Sequence, residues 1–210
     1  MSVAYEDVLT WIKAFHSTVE ENKAYLTKLD SAIGDADHGT NMARGMNAVL
    51  VKIDGHEPDD IGKLLKTVGM ALVGSVGGAG GPLYGTLFMQ MGSASTGMSD
   101  VDLAGFAEMV DAAVKGVQMR GKAEVGDKTM IDALVPARDA LNEAASNGSS
   151  LSDGLKNAVE AAQRGMESTT PLVARKGRAS YLGERSAGHQ DPGATSSYLL
   201  LKTASEVLSG

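Results

Sequence analysis

Three aspartates lie close together near the N-terminus of the chain, in the run LDSAIGDADHGTNM. They are Asp30, Asp35 and Asp37, with glycine and alanine residues between and after them. Carboxylates held this close repel one another unless a cation lies among them, and Mg²⁺ prefers oxygen ligands that it often shares with substrate phosphates. The spacing therefore predicts a metal and phosphate site. It is not an EF-hand, because a loop counted from Asp35 places Met46 where the closing glutamate belongs.

Two further segments have the backbone chemistry of a phosphate site. A helix that begins at His38-Gly39-Thr40-Asn41 would direct free N–H groups at an anion. The glycine-rich run VGGAGGP at 76–82 would let N–H groups approach an anion closely, although a flexible connection between helices has the same composition. The run 121–129 only resembles a P-loop, because Asp127 is inserted before Lys128 and no strand precedes the run. Its lysines either face the site or belong to a solvated loop.

A basic segment precedes the C-terminal helix. It carries Arg175, Lys176, Arg178 and Arg185, in a protein whose formal net charge is −7. Guanidinium and ammonium groups neutralise phosphate, so the segment is a second candidate for anion binding, and an exposed loop that aids solubility is the alternative. We predict no regular structure here, and a long irregular connection itself favours a function.

Composition limits the class of protein. The chain has 210 residues, 43% of them hydrophobic, which suffices for one sizeable core. The acidic balance argues against nucleic acid as a partner, and the absence of cysteine excludes disulfides and thiol chemistry. The N-terminus has no signal-peptide pattern, and no apolar run approaches the roughly 20 residues of a membrane span. We therefore expect a cytoplasmic protein without a membrane partner.

Apolar residues recur at helical spacing and period-two alternation is absent, which predicts an all-α protein without strands. Asp191-Pro192-Gly193 is a start signal for the last helix, because aspartate caps a helix and proline fits its first turn. Pro136 is expected near the first turns of the sixth helix or at a kink. We predict one domain over residues 1–210 with eight helices, covering 5–29, 40–53, 59–75, after Pro82 to 95, 100–119, 129–145, 151–170 and 191–207.

The connections between these helices are of two kinds. Those after the second, fourth and sixth helices are short and have no notable chemistry, whereas those after the first, third, fifth and seventh carry the aspartates, the glycines and the basic residues. In an antiparallel up-and-down bundle, alternate loops lie at the same end. All the chemically rich loops should therefore meet at one end of the bundle, in an arrangement suited to phosphoryl transfer.

Four motifs resemble the nucleotide-binding L subunits of bacterial dihydroxyacetone kinases: IGDADHGTNM, SVGGAGGPLYGT, RGKAEVGDKTM and ARKGRASYLGERSAGHQDPGATS. The resemblance runs nearly end to end. It implies an eight-helix antiparallel barrel that holds ADP or ATP and two Mg²⁺ ions at one end, with Arg178 as a candidate charge stabiliser. Family members often have serine where this chain has Gly80. The implied metal ligands are Asp30, Asp35 and Asp37, and the implied nucleotide contacts are His38, Gly39, Thr40, Asn41, Ala79, Gly80, Gly121, Met130, Arg178, Asp191, Pro192 and Gly193.

The resemblance also implies a reaction shared among subunits. A separate K subunit would hold dihydroxyacetone, this chain would donate the γ-phosphoryl group, and an M-type phosphocarrier would recharge bound ADP. Because ATP-dependent relatives usually fuse the K and L parts, a stand-alone chain resembles the phosphoenolpyruvate-dependent, phosphotransferase-linked type. Two alternatives stay open: an ATP-exchanging kinase module for another substrate, and a nucleotide-state sensor that binds a transcription regulator.

Overall fold

The computed structural model describes residues 2–55 and 60–209 and is almost entirely helical. In chain order the elements are β1 (Val3–Ala4), α1 (Tyr5–Ile33), α2 (His38–Ile53), α3 (Ile61–Ser75), α4 (Gly80–Ala94), β2 (Asp100–Val101), α5 (Leu103–Gly121), α6 (Ile131–Ser146), α7 (Leu151–Ser168), a 3₁₀ helix (Arg178–Ser186) and α8 (Pro192–Leu208).

The eight α-helices within residues 2–55 and 60–209 form a closed ring. Each helix packs against the next one in the chain, and α8 packs back against α1, so consecutive helices are antiparallel neighbours. This is the all-α up-and-down barrel that the sequence predicts. None of the helices in the described residues is long and apolar enough to cross a membrane.

Aromatic side chains fill the interior of the ring. The Trp11 ring of α1 lies 6.2 Å from the rings of both Phe88 in α4 and Phe106 in α5, measured between centroids. Its indole Nε1 donates a hydrogen bond to the carbonyl oxygen of Leu200 in α8, at 3.1 Å. Trp11 of α1 thus contacts three other helices of the barrel. The interior of the barrel is filled by side chains at the level of this residue.

Several helix boundaries differ from the predicted ones. Helix α1 continues to Ile33, so Asp30 lies within its last turn, and α2 begins at His38. Helix α4 begins at Gly80 and includes Pro82 in its first turn, where a missing N–H costs nothing. Pro136 lies inside α6, beyond its first turn. The predicted start of the third helix at residue 59 lies outside the described residues, and α3 is observed from Ile61.

Three short elements were not predicted, namely two strands and a 3₁₀ helix. The strands β1 and β2 pair antiparallel, with Val3 opposite Val101 and Ala4 opposite Asp100, and this pairing occupies the predicted start of the fifth helix. The basic segment was expected to be irregular, but it contains a 3₁₀ helix interrupted at Gly183. Elements this short carry no periodic pattern, so the sequence gives no signal for them.

Glycines inside helices bring α3 and α4 close together. A Cβ atom at Gly62 would lie 2.5 Å from the carbonyl oxygen of Gly92, and a Cβ at Gly92 would lie 2.6 Å from that of Gly62. Gly69 and Gly85 face each other in the same way one level further along the two helices. Part of the high glycine content therefore serves close helix packing and not the loops.

Candidate functional site

A cleft of about 350 Å³ opens at one end of the barrel. Its wall includes the first residues of α2, α4 and α8 and the residue before α6, namely His38, Gly80, Pro192 and Met130. Four helices therefore begin at this cleft. The N-terminus of a helix carries a partial positive charge and free N–H groups, so four of them together favour an anionic ligand.

The three aspartates meet at the mouth of this cleft. Each offers one carboxylate oxygen, and these oxygens lie within 4.8 Å of one another. The Asp30 carboxylate is buried and its Oδ2 accepts hydrogen bonds from the backbone N–H groups of Asp37 (2.8 Å) and His38 (3.1 Å). Ala36 adopts a left-handed conformation with φ of 60°. Asp30 thus folds the turn that carries the other two carboxylates, and the set of hard oxygen donors suits Mg²⁺.

The glycine-rich turn forms another part of the wall. Gly77, Gly78, Ala79 and Gly80 all border the cleft, and Gly78 has a positive φ of 63°. The turn is fastened from α2, because Arg44 donates to the carbonyl oxygen of Ser75 at 2.9 Å. The N–H groups at the start of α4 are therefore held towards the cleft by a fixed backbone.

Gly80 and Gly81 are expected to respond differently to alanine. A Cβ at Gly80 would meet Val76 Cγ1 at 3.2 Å, whereas a Cβ at Gly81 would lie 2.5 Å from the backbone oxygen of Val76. We expect Gly80→Ala to leave the free energy of unfolding within about 1 kcal/mol of the wild type, because a methyl group can yield and alanine favours helix. Gly81→Ala should lower it by about 1–3 kcal/mol. Chemical denaturation of both variants checks this, and equal losses would contradict the difference in space.

A buried chain of hydroxyl groups supports the cleft from inside the barrel. His38 Nε2 lies 2.9 Å from Ser196 Oγ, which in turn lies 2.7 Å from the Tyr84 hydroxyl. Burial raises the pKa of Tyr84 to about 12. Burial also lowers the pKa of His38, although Asp30 and Asp37 act in the opposite direction. Neutral His38 therefore links α2 to α4 and α8, and the network fixes the relative positions of three helix starts.

Asp191 caps α8 from a buried position. Its Oδ2 accepts the backbone N–H of Ala194 at 2.7 Å, as the sequence predicts for Asp191-Pro192-Gly193. Burial is the largest influence on this carboxyl and raises its pKa to about 7, with nearby Asp132 adding to the rise. The hydrogen bond from Ala194 and the charge of Lys128 oppose the rise.

The raised pKa of Asp191 predicts a pH dependence of stability. In the folded protein the Asp191 carboxyl keeps its proton up to about pH 7, whereas in the unfolded chain it loses the proton above its ordinary pKa of 3.8. Between pH 3.8 and about pH 7 the folded state therefore binds more protons, so the free energy of unfolding falls as the pH rises. Asparagine caps a helix equally well and does not titrate. The unfolding free energy of the wild type minus that of Asp191→Asn should therefore fall by roughly 2 kcal/mol from pH 5 to pH 8. Denaturant titrations at both pH values test this, and a constant difference would mean an ordinary carboxyl pKa.

The basic segment closes over the cleft, and residues 173–185 are called the lid below. Lys176, Gly177, Arg178 and Tyr181 of the lid all border the cleft. Arg178 Nε lies 3.1 Å from Asp35 Oδ2, and the Arg178 side chain is 66% exposed. The guanidinium group therefore stands beside the carboxylate cluster and is free to turn towards an anion there.

Twelve of the fifteen residues predicted for the site border the cleft. The remaining three lie close by, and their roles stay predictions. Gly39 is buried against α1, where a Cβ would lie 2.1 Å from the carbonyl oxygen of Lys23. Thr40 faces outwards beside the same helix. Gly121 lies behind the wall, since a Cβ there would meet Leu83 at 3.3 Å.

The apolar part of the wall was not predicted from the sequence. Ile33, Val76, Leu83 and Tyr84 border the cleft together with the predicted Met130. Leu83 and Tyr84 follow Gly80 by about one turn of α4, so the helical period counted from the glycine motif would have pointed to them. An apolar wall next to helix N-termini suits a ligand with a flat ring at one end and negative charge at the other.

Comparison with known proteins gives consistent results. A family model described as the DAK2 domain matches residues 32–206. The chain is 43% identical over 202 residues to the ADP-binding subunit DhaL of PEP-dependent dihydroxyacetone kinase from Escherichia coli, with 96% of both chains covered. It is 46% identical over 192 residues to the ADP-binding subunit DhaL of PEP-dependent dihydroxyacetone kinase 1 from Listeria innocua, with 91% of both covered.

One solved structure is similar along almost the whole chain. It is the dihydroxyacetone kinase from C. freundii in complex with AMP-PNP and Mg²⁺, with a TM-score of 0.69 and 26% identity. The match covers 94% of this chain but only 33% of that one, so this chain corresponds to about a third of the larger kinase.

Proposed function

The chain belongs to the DAK2-domain family, and from this premise we propose that it is the phosphoryl-donating subunit of a phosphoenolpyruvate-dependent dihydroxyacetone kinase. One observation carries the proposal. Three carboxylates, four helix N-termini and a basic lid surround a single cleft of this chain. Relatives of the same length are named as ADP-binding subunits, which agrees with such a site.

We assign the parts of a Mg²⁺-nucleotide complex to parts of the cleft. Asp30, Asp35 and Asp37 would hold Mg²⁺, and we propose two ions. The metal would supply positive charge that neutralises the phosphates. The N-termini of α2 and α4 would receive phosphate oxygens, the apolar wall would receive the base, and Arg178 would balance charge that develops during transfer.

The acceptor is proposed to be held elsewhere. The cleft-lining residues include no nucleophile paired with a base that suggests a covalent intermediate on this chain. We propose a K-type subunit that holds dihydroxyacetone, and an M-type phosphocarrier that converts the retained ADP back to ATP. The chain would act as one nucleotide-binding domain in the cytoplasm.

Nucleotide retention is the first test of the proposal. The purified protein should contain ADP or ATP, or should bind ADP in a Mg²⁺-dependent manner, as judged by mass spectrometry of the extracted ligand and by titration calorimetry. If neither nucleotide is present and neither binds with Mg²⁺, the proposal is wrong.

The phosphoryl source distinguishes the type of kinase. The chain is combined with a K-type subunit and dihydroxyacetone, and receives either phosphoenolpyruvate with the phosphocarriers or ATP alone. Formation of dihydroxyacetone phosphate only in the first mixture is the expected result. Turnover sustained by ATP alone would show that nucleotide exchanges, and would assign the chain to the ATP-dependent type.

A further inference from the structure

Lys128 is buried in a cage of backbone oxygens. The side chain is 1% exposed, and its ammonium nitrogen lies between 2.5 and 3.5 Å from five carbonyl oxygens. An ammonium group has only three N–H donors, so the five carbonyl oxygens must share them. The oxygens surround the nitrogen as ligands surround a metal cation. The sequence left this lysine undecided between the site and a solvated loop, and the structure places it at the site, where it borders the cleft from a buried position. The five carbonyls belong to Thr169, Thr170, Leu172, Ser186 and His189.

These carbonyls flank the two ends of the lid. Three precede residue 173 and two follow residue 185, so one ammonium group joins the points where the lid leaves the barrel and returns to it. A second contact also joins the two ends of the lid, because Ser186 Oγ accepts a hydrogen bond from the backbone N–H of Ala174 at 2.8 Å. The lid base, meaning the residues on either side of 173–185, is therefore held together by the ammonium group of Lys128.

The loop between α5 and α6 is shaped to present this lysine. Lys128 has a positive φ of 63°, which a non-glycine residue rarely adopts. The buried carboxylate of Asp132 accepts the backbone N–H groups of Gly126 at 2.6 Å and Thr129 at 2.7 Å, which fixes the turn on both sides of Lys128. Lys128 borders the cleft together with Thr129 and Met130, the two residues that follow it. A lysine buried in this way loses its hydration, and burial lowers its pKa, although Asp191 and Asp132 act in the opposite direction.

We propose that Lys128 is the positioning residue that holds the lid closed over the cleft and so sets how long the nucleotide stays bound. The lid carries Arg178, whose Nε lies 3.1 Å from Asp35, so the position of the lid base decides whether the guanidinium reaches the metal and phosphate region. The nucleotide part of this inference rests on the proposed function. The lid part does not.

Limited trypsin digestion tests the lid part without nucleotide. The lid and its edge offer cleavage sites after exposed Arg175, Arg178 and Arg185. Lys128→Met keeps most of the side-chain volume and removes the charge, and we expect lid cleavage in the native protein to rise about tenfold or more, since buried hydrogen bonds to a charge are lost. The release rate of a fluorescent ADP analogue should rise by a similar factor, with helicity unchanged.

Lys122→Met is the matched control. Lys122 lies in the same loop, is exposed and also has a positive φ, of 50°. Its variant should behave as the wild type in both measurements. If Lys128→Met and Lys122→Met give equal cleavage and equal release rates, the proposal is overturned. If the wild type binds no nucleotide, the proposed function fails while the cleavage result still decides the role of Lys128 in the lid.

Amine labelling of the wild-type protein covers the case in which Lys128→Met does not fold. Lys122 should react quickly with an amine-reactive reagent, whereas Lys128 should react only as fast as the lid opens. Addition of Mg²⁺ and ADP should slow Lys128 labelling and lid cleavage by the same factor. Labelling of Lys128 as fast as that of Lys122, while the lid stays resistant to trypsin, would disprove the clamp.

Discussion

Asp35→Asn and Asp37→Asn are each expected to weaken Mg²⁺-dependent binding of ADP by about 100-fold or more, because each removes a charged metal ligand, and loss of a mere supporting contact costs 10–100-fold. Neither carboxylate is needed for folding. In the described part of the chain, the Asp37 side chain accepts no capping hydrogen bond from α2, and Asp35 pairs only with the exposed Arg178 side chain. Helicity and melting temperature should therefore remain close to those of the wild type, since an exposed pair contributes about 1 kcal/mol or less.

Calorimetric titration of ADP, with Mg²⁺ and with a chelator, measures this effect. Asp139→Asn is a suitable control, because Asp139 is an exposed carboxylate on α6 that pairs with Arg138. Asp30 is a less direct test, since its carboxylate also holds the backbone of Asp37 and His38. Unchanged ADP affinity in both the Asp35 and the Asp37 variants would refute the metal assignment.

The ring topology explains why the site is at this end of the barrel. In an antiparallel ring the even-numbered helices all begin at one end, so α2, α4, α6 and α8 direct four N-termini to the same place. The odd-numbered helices end there, and α1 delivers Asp30 in its last turn. The N-termini of the even-numbered helices thus favour an anion, and the last turn of α1 supplies a carboxylate for a cation. Of the connections within the described residues, only those at this end of the barrel carry residues suited to such ligands.

The fold was predictable because its helices are amphipathic. Residues such as Val8, Ile12, Phe15 and Val19 repeat at the helical period, and all four are buried in α1. The ends were harder to predict. Helix α1 continues through Asp30 to Ile33, where polar residues interrupt the apolar pattern, and the β1–β2 pairing involves two residues from each strand. Contacts between residues distant in sequence determine these helix ends and strand pairs, and the local sequence gives no signal for such contacts.

Lys128 shows the corresponding limit for the site. The carboxylates and glycines could be recognised because the residues that act together are close in sequence. The carbonyls around Lys128 come from residues 41 to 61 positions further along the chain. Because every residue has a backbone carbonyl, no residue type in the sequence indicates which carbonyls contact the lysine. In the same way, the need for glycine at Gly62 and Gly92 comes from the close approach of two helices that are distant in sequence. Long-range partners of the backbone leave no local pattern to find.

Arg178→Ala is expected to slow phosphoryl transfer about 100-fold to 1,000-fold, the usual cost of removing one donor aimed at developing charge. Its guanidinium lies 3.1 Å from Asp35, and 66% of the side chain is exposed, so it can leave the carboxylate for a phosphate once a metal neutralises the cluster. Binding of Mg²⁺ and ADP should weaken less than the transfer rate does, because the aspartates and helix N-termini remain. Single-turnover transfer from the ATP-loaded subunit to dihydroxyacetone, with a K-type partner present, separates the rate from the affinity.

Arg185→Ala is the matched control for this prediction, because Arg185 is an exposed arginine of the same lid that does not border the cleft. It should transfer the phosphoryl group at nearly the wild-type rate. Arg178→Lys should recover only part of the lost rate, since an ammonium group cannot make the paired hydrogen bonds of a guanidinium. If Arg178→Ala lowers ADP affinity and the transfer rate by equal factors, the residue only binds the nucleotide, and the charge that develops in transfer must be balanced by another group.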